Sequence, residues 1–506
     1  MLAALTLSLV AQGPSTEALL PGEPDRLEAI AVAGRSADAR YLPPLIDLLA
    51  FARTPEEWYA TLDALGELLS EDLREVERPW RTLRLRLGTQ VSGPADYLAF
   101  KRELLARRVD PRFRDLLADA RNSRLPLERV DWGGVPVDGI PALVDPAVVP
   151  AAGAEWLRPE EPVFGLVVDG RARAYPLRIL DWHEMVNDRL GDVAFALSYC
   201  TLCGAGVAYR TGDGDERDLF RSSGLLLDSN KLMYDEATES LWSQLEGRAL
   251  HGARVGEDEL GVLPVDLVPW SVWRARHPRT TVVDRETGFD RDYRLGAAYG
   301  DYFAASETMF PAPGVDEIGG RAKERVLVLR GAGRTTPVPV SEIAAAGALR
   351  VEGSGTSALV LAVPRPAPSL PAELAPLASD LAAWKEATSE ELAAALHTDP
   401  ALASHLTVEL LLELPAAVRL ALLDAELAST AWALSRDVRI GAAFRGLAAD
   451  VRAYEAPDEE LVWDGARLLD AQGRAWTPTT TALLDPNGGA YERLPSHLAF
   501  RFAFLR

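Results

Sequence analysis

Cys200 and Cys203 are the only cysteines in the chain, and they stand three positions apart in SYCTLCGAGVAY. Two thiols at this spacing reach one metal ion, or close a small disulfide. The apolar run VAFALSY leads into the pair and Gly204 and Gly206 follow it, so a buried strand turns tightly where the sulfurs sit. A lone Cys-x-x-Cys is half of a structural zinc site, and without a second pair a four-cysteine finger or ribbon is excluded. A metal here would need His, Met or carboxylate to complete its shell. The scarce residues crowd around the pair: His183, His251 and His277, and every Met but the first (Met185, Met233 and Met309), fall between residues 183 and 309.

His183 is the nearest of these in motif terms. In PLRILDWHEMVND the spacing predicts a helix through WHEMVND, with Ile179, His183 and Val186 on one apolar face. That face points toward the sheet ending at Cys200, so His183 is read as a metal ligand or an acid/base. An isolated histidine would instead be a buried ring satisfied by a backbone carbonyl. Glu184 and Asp188 fall on another face, expected to be solvated or packed against the helix.

Downstream, SSGLLLDSNKLMYDEATESLWSQLEG is unusually polar for so Leu-rich a stretch. Buried polar side chains need partners, so the run either lines a pocket or makes a turn. The pocket residues expected are Ser222, Ser223, Asn230, Lys231, Tyr234, Trp242 and Gln244, with Glu184 from upstream. Met233 is a thioether ligand or core filler.

The elements that must hold these residues change texture along the chain. Residues 1–11 resemble the apolar region and cleavage site of a secretory signal, without the usual Lys or Arg before it. They imply an extracytoplasmic protein, periplasmic or secreted; a buried first helix is the alternative. Residues 26–125 read as helix pairs, Leu42–Ala52 and Trp58–Leu69 among them, with Thr54, Pro55 and Glu57 as a helix start. The layout resembles HEAT-type repeats and would offer a surface to a protein partner, or merely cap the main domain. Residues 130–362 read as an α+β, mainly β domain with short helices. VFGLVVDGRARAYPLRIL and RVLVLRGAGRTTPVPVSEI within it share an apolar run, a Gly turn, Pro and Ile, as two copies of a hairpin would. Residues 363–436, with His397 and His405, read as a helical insertion in which both histidines are ordinary. Residues 437–506 return to strand texture and rejoin the central domain.

The 506 residues suggest about three domains. The composition, 48% hydrophobic and 25% charged, is globular. A net charge of −22 excludes a sequence-independent nucleic-acid binder and a binder of anionic membranes, both of which need a basic surface. No run reaches membrane-spanning length.

Four ordered motifs carry a resemblance: ARAYPLRILDWHEMVND, SYCTLCGAGVAY, SSGLLLDSNKLMYDEATESLWSQLEG, and TGFDRDY followed by YGDYF. Together they resemble the domain-of-unknown-function family 3179 from about Val130 to Lys323. The tail VRAYE…RLPSHLAFRFAF resembles the end of longer members, and helical-repeat N-termini occur among them. The insertion at 363–436 departs from the family pattern. The resemblance implies a domain and no particular reaction.

Three functions follow. Cys200, Cys203, His183 and Met233 are a soft ligand set, favouring copper over calcium or magnesium and leaving zinc or iron open. Such a site would handle copper, or run a redox reaction on a small molecule bound near Ser222–Gln244. The second function is metal-free thiol–disulfide chemistry, with His183 lowering a thiol pKa. The third is a non-enzymatic scaffold acting through the helices.

Overall fold

The computed structural model describes residues 13–118, 120–315, 321–331, 334–353, 356–363 and 448–504. The expected signal segment, and the expected insertion beyond residue 363 with His397 and His405, lie outside the described residues. The fold is mixed α+β, with substantial sheet content and several helices.

Helices Arg26–Arg35, Leu42–Ala50, Pro55–Leu69, Pro79–Leu87 and Tyr97–Arg108 come first. Thr54 starts the third as its sequence indicates: the hydroxyl accepts from the Glu57 N–H at 3.2 Å, and Pro55 opens the helix. Their apolar faces bury Leu45, Leu49, Leu65 and Leu104 in a core of their own. A buried charge cluster ties this unit to the first sheet. Arg84 pairs with Asp47 of the second helix, and at 3.0 Å with Asp131 of strand Val130–Trp132. Lys101 and the Tyr97 hydroxyl complete Asp47 at 3.2 and 2.7 Å.

Two sheets carry the Cys pair and the polar run. In one, Met185–Leu190, Val193–Cys200 and Ala205–Asp213 are neighbours. Val193–Cys200 is buried at every position, which explains why it reads as an unbroken apolar run rather than an alternating one. In the other, Val130–Trp132, Phe220–Leu227, Asn230–Asp235, Leu241–Ser243 and Arg248–His251 lie in that order. Asp228 and Ser229, both at positive φ, form the tight two-residue turn that delivers Asn230 and Lys231.

The helix expected through WHEMVND ends earlier. It spans Leu177–His183, Glu184 takes a left-handed conformation (φ +53°), and Met185 begins a strand. Val186 therefore faces the sheet core as a strand residue and shares no helical face with His183. The strand is fixed by pairing that a local helical period cannot report: Asn187 exchanges hydrogen bonds with the Phe220 backbone at 2.8 and 2.9 Å. Tertiary pairing overrides the local pattern here.

The two similar hairpins both form. Pro162–Val168 pairs with Arg171–Pro176 before helix Leu177–His183; Arg325–Gly331 pairs with Arg334–Pro339 before helix Val340–Ala346. The second hairpin receives the tail strand Ser496–Phe500, and Val451–Glu455 pairs with Thr356–Ala362. A buried ion cluster bonds the tail to the centre of the chain. Asp266 accepts from Arg452 at 3.0 Å and pairs with Arg493 at 2.7 Å.

Burial alone would raise the Asp266 pKa, but the guanidinium groups outweigh it and hold it down to about 2. Because the folded value is depressed, this carboxylate stabilises the fold fully above the unfolded value near 4. The contribution is lost as pH falls toward 2. Asp266→Asn should cost about 3–5 kcal/mol, because it leaves buried guanidinium groups without their anion. Urea unfolding at pH 7 and pH 3 checks this: the deficit should shrink at the lower pH, and an equal deficit at both contradicts it.

Candidate functional site

Cys200 ends one strand, Ala205 begins the next, and the two residues pair across the hairpin. The loop between them is Thr201-Leu202-Cys203-Gly204, so both sulfurs sit at one tight turn. Each following glycine has its own reason. Gly204 has φ +57°, and a Cβ there would stand 2.7 Å from the Arg325 guanidinium; a Cβ at Gly206 would stand 2.3 Å from the Phe164 ring. Both cysteines are buried free thiols.

The polar run supplies the donors. Asn230 Nδ2 donates to Cys203 Sγ at 3.0 Å and to Gln244 Oε1 at 2.7 Å. Gln244 Nε2 donates to the carbonyls of Ser198 (3.0 Å) and Ala205 (3.2 Å), one on each strand of the cysteine hairpin. Gln244 thus clamps the two strands and aims Asn230 at the sulfur. Lys231 Nζ donates to the Glu184 carbonyl at 2.7 Å and stands 3.4 Å from its carboxylate and 3.5 Å from Ser222 Oγ. The left-handed turn at Glu184 brings both of its oxygen-bearing groups to one ammonium. Glu184 and Asp188 are therefore buried rather than solvated; Asp188 is held by Arg173 (2.6 Å) and the Tyr175 hydroxyl (2.7 Å).

The two thiols shift in opposite directions. Burial pushes Cys200 up, but the Cys203 thiol and the backbone N–H groups of Cys203 and Lys231 bond its sulfur and bring it below the ordinary thiol value. Burial, and then the bond it gives to Cys200, push Cys203 well above. Burial pulls the Lys231 ammonium down against the attraction of Glu184 and the sulfurs, and pushes Glu184 up. Of the two, Cys200 is the thiol that ionises more readily.

The structure does not bring every expected residue here. His183 is spent elsewhere: Nδ1 lies 2.8 Å from the Pro141 carbonyl and Nε2 2.6 Å from the Tyr293 hydroxyl. A carbonyl only accepts, so Nδ1 carries the proton and Nε2 accepts from Tyr293. Met233 packs with Met185, Val207, Phe220 and Trp242 in a separate apolar cluster. Trp242 donates to Asp235 at 2.9 Å, Tyr234 to Asp138 at 2.8 Å, and Ser223 to the Leu232 carbonyl at 2.5 Å, each away from the sulfurs. Among the described residues no group of three or more His, Cys, Asp and Glu is placed to hold a metal ion.

Residues not singled out from the sequence surround the pair instead. Asp181 is buried with the Tyr199 hydroxyl as its neighbour, and the Thr201 hydroxyl neighbours both Tyr199 and Glu184. Burial and the neighbouring Glu184 push Asp181 well above the carboxylate range. Tyr302 donates to the Leu202 carbonyl, between the two cysteines, at 2.5 Å, and partly buried Tyr299 lies in the field of Glu184, Asp181 and Cys200. Both tyrosines stand in the YGDYF motif, so a signal for them existed. Arg325, whose Nη1 donates to the Gly204 carbonyl at 2.9 Å, opens a scaffold hairpin and had none.

A family model described as a protein of unknown function, DUF3179, matches residues 137–395, just over half of the chain. The chain belongs to this family. The DUF3179 match contains the cysteine loop, its donors and the covering tyrosines, and runs past Lys323, where the motif likeness ended. No curated protein and no solved structure matches the chain.

Two expectations follow for this DUF3179 site. Under native conditions Cys200 should be alkylated before Cys203, with a pH midpoint below the ~8.5 of a free thiol. Site-resolved mass spectrometry across pH 5–10 reads this, and the reverse order contradicts it. His183→Ala should cost about 1–3 kcal/mol, by stranding buried partners, and should raise hydrogen exchange across Thr287–Tyr293. Unchanged exchange there would show that His183 does not hold that segment.

Proposed function

We propose that the protein binds monovalent copper between Cys200 and Cys203, as a metal-handling or redox centre. The observation that supports this reading is the meeting of two sulfurs in one hairpin loop, with N–H donors on both and cationic side chains beside them. Thiolates are soft ligands and select Cu(I). Two of them suffice for a linear Cu(I) site, whereas zinc or iron would require further ligands. His183 and Met233, expected to complete the shell, have no part in it. Burial keeps such a pair from air oxidation, which suits the export that residues 1–11 suggest. The helical unit, read as HEAT-like, would be the surface for a protein that gives or takes the metal.

The opposite shifts of the two thiols favour a second reading, metal-free exchange with a disulfide substrate. In it the Cys200 thiolate attacks the substrate disulfide, releasing one substrate thiolate and forming a mixed disulfide. Cys203 then closes the Cys200–Cys203 bond and frees the second substrate thiol.

Anaerobic titration of the full chain with Cu(I), against a chromophoric chelator, separates the two. One ion per chain is expected, with binding abolished in Cys200→Ser and Cys203→Ser and retained in His183→Ala and Met233→Ala. A wild-type chain that surrenders all copper to the chelator, while its thiols react with a small disulfide, would leave the exchange reading in its place.

A further inference from the structure

Arg325 is a buried cation without a counter-ion among the described residues. Its Nη1 donates to the Gly204 carbonyl, its guanidinium lies 5.2 Å over the Phe500 ring, and Nε and Nη2 have no hydrogen-bond partner. No carboxylate pairs with it among the described residues. The groups that raise its pKa are Tyr199 and Cys203, while burial pulls it down to about 10. Strand Arg325–Gly331 pairs with Ser496–Phe500, and the Phe500 N–H donates to the Cys203 carbonyl at 2.7 Å, so this cation is locked against the cysteine loop.

The other charges nearest the loop pair with one another, apart from Lys323, which stands over the Tyr302 ring and donates to the Tyr302 and Ala305 carbonyls. Lys231 and Glu184 form a pair that is neutral whichever of them holds the shared proton. Burial, and then the neighbouring Glu184, push Asp181 well above the carboxylate range against a hydrogen bond from Tyr199. Tyr199, Tyr299 and Tyr302 are all held far above the range in which they ionise. His497, which feels Arg330 and Arg325, is pushed down to about 3 and is neutral. Arg330 has its own carboxylate, Glu259, at 3.6 Å.

We propose that Arg325 is the specificity residue of the cysteine site, and that its unpaired guanidinium makes the two-sulfur loop a receptor for a monovalent soft cation rather than a divalent one. Two thiolates and one guanidinium leave a single negative charge. A monovalent ion closes that balance, whereas a divalent ion leaves a net positive charge in a closed core, where an uncompensated charge is costly. Charge, in addition to softness, then separates copper(I) from zinc. This inference rests on the two-sulfur reading above.

The test uses the full chain, anaerobic, titrated in parallel with Cu(I) and Zn(II) as the metals alone. Wild type should bind Cu(I) and hold Zn(II) poorly. In Arg325→Met the ratio of Zn(II) to Cu(I) affinity should rise by at least about tenfold, as removal of a nearby buried like charge implies, and Arg325→Lys should restore the wild-type ratio. An unchanged ratio in Arg325→Met, with Cu(I) still lost in Cys200→Ser, overturns the role of Arg325 alone. Absence of Cu(I) binding in wild type overturns the two-sulfur reading and this inference with it. Should Arg325→Met fail to fold, wild type decides: sub-micromolar Zn(II) held by Cys200 and Cys203 overturns the proposal, and its absence beside tight Cu(I) supports it.

Discussion

A thiolate in a protein core persists only where N–H groups and positive charge face it, and the surroundings of Cys200 and Cys203 follow from that requirement. The sulfurs cannot be supplied from their own hairpin alone, because its strands spend their N–H groups on one another. The donors arrive from a second sheet, through the turn at Asp228 and Ser229, as Asn230 and Lys231. Gln244, one strand further on, ties that sheet to both cysteine strands. Removing Gln244 would therefore loosen the hairpin and misdirect Asn230 together; the two effects share one side chain and need not add.

The cover over this centre is assembled from far along the chain. Tyr302 lies on the loop carbonyl between the cysteines, and Lys323 fixes its backbone at the Tyr302 carbonyl (2.5 Å) while standing 3.4 Å over the ring. A little upstream, His183 and Trp182 hold Tyr293 and the Asp292 carbonyl at 2.6 and 2.7 Å. The helix before Glu184 thus does two jobs through adjacent residues. Its last turn grips the covering segment, and the left-handed residue that follows feeds the lysine at the sulfurs.

This division explains what was legible in the sequence and what was not. The cysteine loop was legible because a strand, a short spacing and two glycines are local signals, and each glycine has a steric cause. Asn230, Lys231 and Gln244 were legible as a polar run in apolar company, since buried amides and ammonium groups must find partners. His183 was placed on the wrong neighbours because a helical period extended past Glu184 aims it at the sheet. The residue at positive φ that ends the helix gives its carbonyl to Lys231 and to the Tyr199 N–H, contacts that no local helical period reports. Asp181 was passed over beside two more suggestive residues. Arg325 was invisible because its meaning comes from having no carboxylate partner among the described residues, and a sequence cannot show a missing contact.

The second of the two similar hairpins gives that cation its place. In the first hairpin unit the helix ends at His183, and strand Met185–Leu190 leads on to the cysteine strand. In the second, the hairpin takes the tail strand as a third member, and its first residue, Arg325, meets the cysteine loop from the other side. The first unit thus reaches the sulfurs through Glu184, the partner of Lys231, and the second through the Arg325 guanidinium. The clamp at Asp266, which bonds Arg452 and Arg493 of the tail to the central strands, belongs to the same construction. It fixes the tail that carries Phe500, and Phe500 is both the ring under Arg325 and the donor to the Cys203 carbonyl. The cation beside the cysteine loop is therefore held by the tail strand Ser496–Phe500, and a change in the tail would reach the sulfurs through one aromatic ring.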